Sequence, residues 1–91
     1  MRTGAGPTTH TRDFEDEDGV RWTAFAADAI VAHGRPGAVL AFRPADDESG
    51  AELRSTITFN SMDAAAFALR TMSLKELRRR LSLARMAAAG V

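Results

Sequence analysis

Leu53-Arg54-Ser55-Thr56-Ile57-Thr58-Phe59-Asn60-Ser61-Met62-Asp63 is the stretch on which the fold turns. Successive side chains of a strand point to opposite faces. Leu53, Ser55, Ile57 and Phe59 therefore share one side, and Arg54, Thr56, Thr58 and Asn60 the other. An antiparallel strand with one buried and one wet face reads this way. Ser61 then offers a hydroxyl to the free N–H groups of a helix beginning at Met62. Asp63 puts a carboxylate in the first turn, where the helix dipole favours it.

Upstream of this junction the sequence reads as strands. Thr9 to Phe14 has a weak edge-strand pattern, and Asp16-Glu17-Asp18-Gly19 is a turn signal, since Asp-Gly supplies the positive φ that a tight hairpin needs. Val20-Arg21-Trp22-Thr23-Ala24-Phe25-Ala26 carries β-branched and aromatic residues on both faces. The alanine-rich continuation to Ala32 is read as strand rather than helix, because a Trp-Thr-x-Phe start precedes it and a breaker follows. That breaker is the loop His33-Gly34-Arg35-Pro36-Gly37. Ala38-Val39-Leu40-Ala41-Phe42-Arg43 suits a central strand, closed by Pro44 and by the acidic loop Ala45-Asp46-Asp47-Glu48-Ser49-Gly50.

Downstream the pattern is helical. Met62, Ala66 and Leu69, with Phe67 flanking, give the first helix an apolar side. Ser73-Leu74-Lys75-Glu76 fits a capping box, so a second helix, or a kinked continuation, starts there and closes at Gly90. The expected architecture is α+β: a small antiparallel sheet of three to four strands followed by one or two C-terminal helices packed on one face. Residues 1–9, rich in Gly, Pro and Thr, are expected to form a flexible N-terminal tail, and 10–91 a single domain.

Advancing about 100° per residue, Leu74, Leu77, Leu81, Ala84 and Ala88 of the last helix fall on one stripe that should dock on the sheet. The outward side then carries Lys75, Glu76, Arg79, Arg80, Leu83 and Met86. Leu83 and Met86 are surplus to a small core, and they lie beside arginines; Arg and Met are enriched at interfaces. Lys75, Arg78, Arg79, Arg80, Leu83 and Met86 are thus the candidate partner-binding residues.

The charge is distributed unevenly. Residues 1–60 hold six arginines against ten Asp and Glu; residues 61–91 hold six Lys and Arg against Asp63 and Glu76 alone. An acidic front and a basic rear, with a net charge of +0, argue against general nucleic-acid affinity, which needs several uncompensated cations. Arg78-Arg79-Arg80 cannot all point one way on a helix, so they form no concentrated phosphate stripe. Arginine far outnumbers lysine (Lys75 alone), which with the alanine excess reads as a GC-rich coding bias.

Chemistry is poorly supplied. There is no Cys, hence no thiolate nucleophile and no Cys-based zinc site. Placing Gly19 at the sixth position of a calcium loop puts Phe14 at the first and Phe25 at the twelfth, where oxygen ligands are required. The run Asp13 to Asp18 therefore reads as a solvated turn. Gly34-Arg35-Pro36-Gly37 lacks the Gly-Lys-Ser/Thr end of a phosphate loop, and His10 and His33 have no third ligand at metal spacing. Trp22, the one Trp, is expected to pack in the core.

Neither enzyme activity nor a cofactor is expected. No apolar segment suits a signal peptide or a membrane span, and a cytoplasmic protein is the default. The expectation is a protein–protein interaction module, accessory or regulatory to a larger assembly, using its basic C-terminal helix. The alternatives are a structural homodimer and, less favoured, a small nucleic-acid-binding protein.

Overall fold

The computed structural model describes residues 11–46 and 52–90. The expected tail at 1–9 and part of the acidic loop after Pro44 lie outside them. Strands β1 (Thr11–Glu15), β2 (Arg21–Ile30), β3 (Pro36–Pro44) and β4 (Leu53–Phe59) are followed by helices α1 (Met62–Thr71) and α2 (Leu74–Ala88). The strands form one antiparallel sheet in the order β1-β2-β3-β4, so each pairs with its neighbour in sequence. This is the expected α+β arrangement.

Asp-Gly turns the chain as anticipated. Gly19 sits at φ +83, and the N–H groups of Gly19 and Asp16 bond to the carbonyls of Asp16 and Val20 at 3.1 and 2.9 Å. The register that follows sets Phe14 opposite Trp22, Trp22 opposite Pro44 and Phe42 opposite Leu53. Period-two alternation then sends Phe14, Trp22, Ala24, Ala26, Ala38, Leu40 and Phe42 to one face. There they meet Ala65 and Leu69 of α1 and Leu77, Leu81 and Ala84 of α2. Phe14 and Phe42 meet edge to face, with ring centroids 6.1 Å apart. The core is alanine-rich, which lets the two layers approach closely but leaves few large side chains to hold them.

At β2, strand structure runs to Ile30, well into the alanine-rich segment. Asp28 and Ile30 are exposed, so the end of the β2–β3 hairpin is wetter than its middle. In β4 the alternation is broken: Val39 pairs with Thr58, but Ala41 pairs with Arg54. The extra residues on the β4 side form an irregularity in which the N–H of Ile57 bonds to Ser55 Oγ at 3.1 Å. A bulge twists the strand and re-aims its side chains. Ser55 is therefore buried, whereas Ile57 is exposed.

Both helix starts are capped by serine. Ser61 Oγ accepts the N–H of Ala64, and Ser73 Oγ accepts that of Glu76, each at 3.1 Å. Extended backbone at Met72 separates two distinct helices. The C-terminus of α1 is held from the sheet: Arg12 Nη1 donates to the carbonyls of Leu69, at 3.0 Å, and Met72. A cation at the last carbonyls of a helix satisfies orphan acceptors and complements the dipole.

Two core expectations need correcting. On α1 the buried set is Ala65, Ala66 and Leu69, while Met62 and Phe67 are exposed. On α2, Leu74 is 42% exposed, and Ala88 is exposed too. The buried residues of α2 are confined to its middle, from Leu77 to Ala84.

Candidate interaction face

The buried centre of α2 is set by Leu77, Leu81 and Ala84, and it divides the three arginines as helical geometry requires. Arg78 lies on one flank of that seam. Its Nε donates to the Glu15 carbonyl at 2.9 Å, tying α2 to the end of β1. Arg80 lies on the other flank, with only 17% of its side chain exposed, and bonds to Glu76 at 2.7 Å. Its Nη1 is buried and has no hydrogen-bond partner among the described residues. Arg79 faces outward, 61% exposed, and pairs with Glu76 at 3.1 Å.

Glu76 therefore serves two arginines instead of completing the capping box. The Arg80 hydrogen bond is the main reason its carboxyl sits below the ordinary glutamate range; burial opposes this, and the charge of Arg79 adds to it. Lys75 is exposed, and it makes no ion pair among the described residues. Leu83 is half-buried, while Met86 is 54% exposed.

The six sequence-derived candidates thus do not form one surface. Lys75, Arg79 and Met86 share the outward side; Arg78 and Arg80 are engaged internally, and Leu83 sits at the margin of the core. Leu74, assigned to the core from the sequence, joins the outward group. A groove of about 420 Å³ runs along this side, lined by Glu17, Leu74, Lys75, Arg78, Arg79 and Ser82. It offers cations, a hydroxyl and an apolar edge, with one carboxylate across from them.

Asp16 was expected to be solvated with the rest of its acidic run, yet it is buried, at 6% exposure. Its Oδ1 accepts the N–H groups of Asp18 at 2.8 Å and Val20 at 3.0 Å. Its Oδ2 accepts the Trp22 indole N–H at 3.0 Å and Arg85 Nη2 at 3.2 Å. The Arg85 guanidinium also lies over the Trp22 ring, 4.9 Å from its centroid. Trp22 is therefore core, as expected, but its polar end closes a clasp between the β1–β2 turn and the last turns of α2.

The Val20 N–H is the chief cause that holds the Asp16 carboxyl below its ordinary value. Burial opposes it, while Trp22, Asp18 and the charge of Arg85 reinforce it. Asp, one turn and then Trp was the available signal, because a side-chain turn acceptor often precedes Asp-Gly. Sequence reasoning also missed the exposure of Ile30, at 73%, and Phe67, at 60%. For Phe67 the signal was present, since it lies opposite the Ala65–Leu69 seam on a helical wheel.

Among the described residues no three of His, Asp and Glu converge in a way that could hold a metal ion. No described helix is long and apolar enough to cross a membrane. A depression of about 500 Å³ is lined by Asp13, Gly19, Val20, Arg21, Ala45 and Asp46, and holds no Ser, Thr or His side chain. Another, of about 260 Å³, is lined by Asp28, Pro36, Gly37, Asn60, Ser61 and Met62, and there the Ser61 hydroxyl is engaged as the cap of α1. Comparison of the chain with known families, curated proteins and solved structures returns no match.

Proposed function

We propose that this chain is a non-enzymatic protein–protein interaction module, accessory or regulatory to a larger assembly, and that it presents the outward side of α2 to an acidic partner surface. The supporting observation is the groove along α2, where Lys75 and Arg79 stand beside exposed Leu74, with exposed Met86 on the same side of the helix about two to three turns further on. Apolar contact would supply the desolvated centre and the cations the orientation, the usual division of labour in an interface. Lys75, Arg79 and Met86 carry this reading. Arg78 supports it by tying α2 to β1, Arg80 by holding Glu76 within the helix, and Leu83 contributes at its margin.

On α2, internal engagement of Arg78, Arg80 and Arg85 leaves Lys75 and Arg79 as the outward cations, which weakens the reading of this helix as a phosphate-binding face. The test is affinity capture with wild type beside Lys75→Glu/Met86→Glu, with and without nuclease. Both positions are exposed, so the variant should keep the wild-type circular dichroism and Trp22 fluorescence. We expect a nuclease-resistant partner that the variant loses. Retention of every partner by the variant refutes the reading, and loss of all recovery on nuclease treatment replaces it with nucleic acid.

A further inference from the structure

The α2 groove has two walls of opposite sign. One is the basic side of the helix, with Lys75, Arg78 and Arg79; the other carries Glu17 of the β1–β2 turn. Glu15, Glu17 and Asp18 are all exposed along that turn. Glu17, Asp18 and Lys75 make no ion pair within the chain among the described residues, although Glu17 and Lys75 line the same groove. Apolar surface is supplied on the helix side by Leu74, 42% exposed, which lines the groove beside Lys75 and Arg79.

This layout has a symmetry consequence. A two-fold interface is isologous, so the same patch must be complementary to itself. A patch of one sign repels its copy. A patch made of adjacent acidic and basic halves satisfies the condition, because rotation by 180° sets each half against its opposite.

Resting on the proposed interaction face, we infer that the partner seated on α2 is a second copy of this chain. The pair is related by a two-fold axis running through the groove. Glu17 and Asp18 of one copy then face Lys75 and Arg79 of the partner subunit, twice over. Leu74 lies towards the middle of the contact. The internal bonds of Arg78 to Glu15 and of Arg85 to Asp16 hold turn and helix in fixed relation, so both halves of the patch are preformed. Such a contact is rich in exposed charge and modest in apolar area. The dimer is accordingly weak and salt-sensitive rather than obligate.

Exchange of charges supplies a decisive experiment. Sedimentation equilibrium is run on the full chain, on Glu17→Lys/Asp18→Lys and on Lys75→Glu/Arg79→Glu, with circular dichroism confirming that each folds. In either variant alone, both symmetric contacts become like-charged. In an equimolar mixture of the two, both become attractive again. We expect wild type to dimerise, with a dissociation constant that rises by about tenfold or more between low and high salt. Each variant should be monomeric, and the mixture should form a one-to-one dimer.

A monomeric wild type at every concentration overturns the inference, as does a mixture that stays monomeric while wild type dimerises. Failure here is separable from failure of the interaction face itself. A monomeric wild type whose captured partner is still lost in Lys75→Glu/Met86→Glu would leave that face in place with a different occupant.

Discussion

Truncating Leu77 should be far more costly than truncating Met86, although both lie on the same helix. Leu77 is fully buried among residues of both layers, whereas Met86 is 54% exposed. Leu→Ala in a core loses the transfer free energy of the side chain and leaves a cavity, together worth about 2–5 kcal/mol. The core cluster to which Leu77 belongs is rich in alanine, with Ala24, Ala26, Ala38, Ala65 and Ala84, and alanines have no side-chain freedom with which to refill the space. The upper half of that range is therefore expected. A chain of 91 residues has a total stability of roughly 5–14 kcal/mol, so Leu77→Ala removes a large share of it. Met86→Ala, on the exposed side, should stay within about 0.5 kcal/mol.

Urea unfolding followed by fluorescence reads both values. Trp22 is the single Trp, is buried, and reports on the joint between turn, sheet and α2. A shift of the melting temperature by about 4–8 °C per kcal/mol gives a second measure. Equal costs for Leu77→Ala and Met86→Ala would refute the assignment of inner and outer sides of α2. The interaction proposal would fall with it.

Other consequences follow from particular contacts. A Cβ added at Gly37 would lie 2.5 Å from the Phe59 carbonyl oxygen and 2.5 Å from Val31 Cγ1, and backbone cannot swing aside. Gly37→Ala should cost about 1–3 kcal/mol in the same assay, and a neutral result would contradict the close pass of β3 against β4. Because the Asp16 carboxyl is held below its ordinary value of about 3.9, its contribution is present above that pH and is lost as pH falls through the lower folded value. An acid titration of stability should therefore steepen below about pH 4 in wild type and flatten in Asp16→Asn; identical acid limbs would contradict the clasp. Arg85→Met removes the cation over the Trp22 ring and the pair to Asp16. Faster amide exchange in the last turns of α2, with Leu77 still protected, is expected, whereas unchanged exchange would show that the clasp does not hold the helix end.

The parts of this structure legible in the sequence are those governed by local chemistry. Asp18-Gly19 forces the hairpin, Ser61 and Ser73 cap their helices, and alternation from Leu53 announces β4. Period alone reveals the direction of the α2 seam but not the extent of what lies beneath it. Leu74 and Ala88 fall on the stripe and are still exposed, because only the middle of the helix is covered. The same uncertainty of a few tens of degrees moved Arg80 and Leu83 from the outward side to the margin of the core. Ile57 escaped prediction because the β4 irregularity is set by pairing with β3, which no single-strand pattern encodes. Asp16 escaped because its four partners come from the turn, the indole of Trp22 and Arg85, the last brought near only by the tertiary fold.

The most direct measurement is photo-crosslinking in cells of the source organism, with p-benzoylphenylalanine in place of Met86 on α2 or, as the control, in place of Phe67 on α1. Both positions are exposed and apolar, so they differ in location rather than in stickiness. Adducts from position 86 that disappear in the Lys75→Glu/Arg79→Glu background, with none of comparable yield from position 67, are the expected result. Adducts of equal yield from both positions, or from position 67 alone, would contradict α2 as the working face.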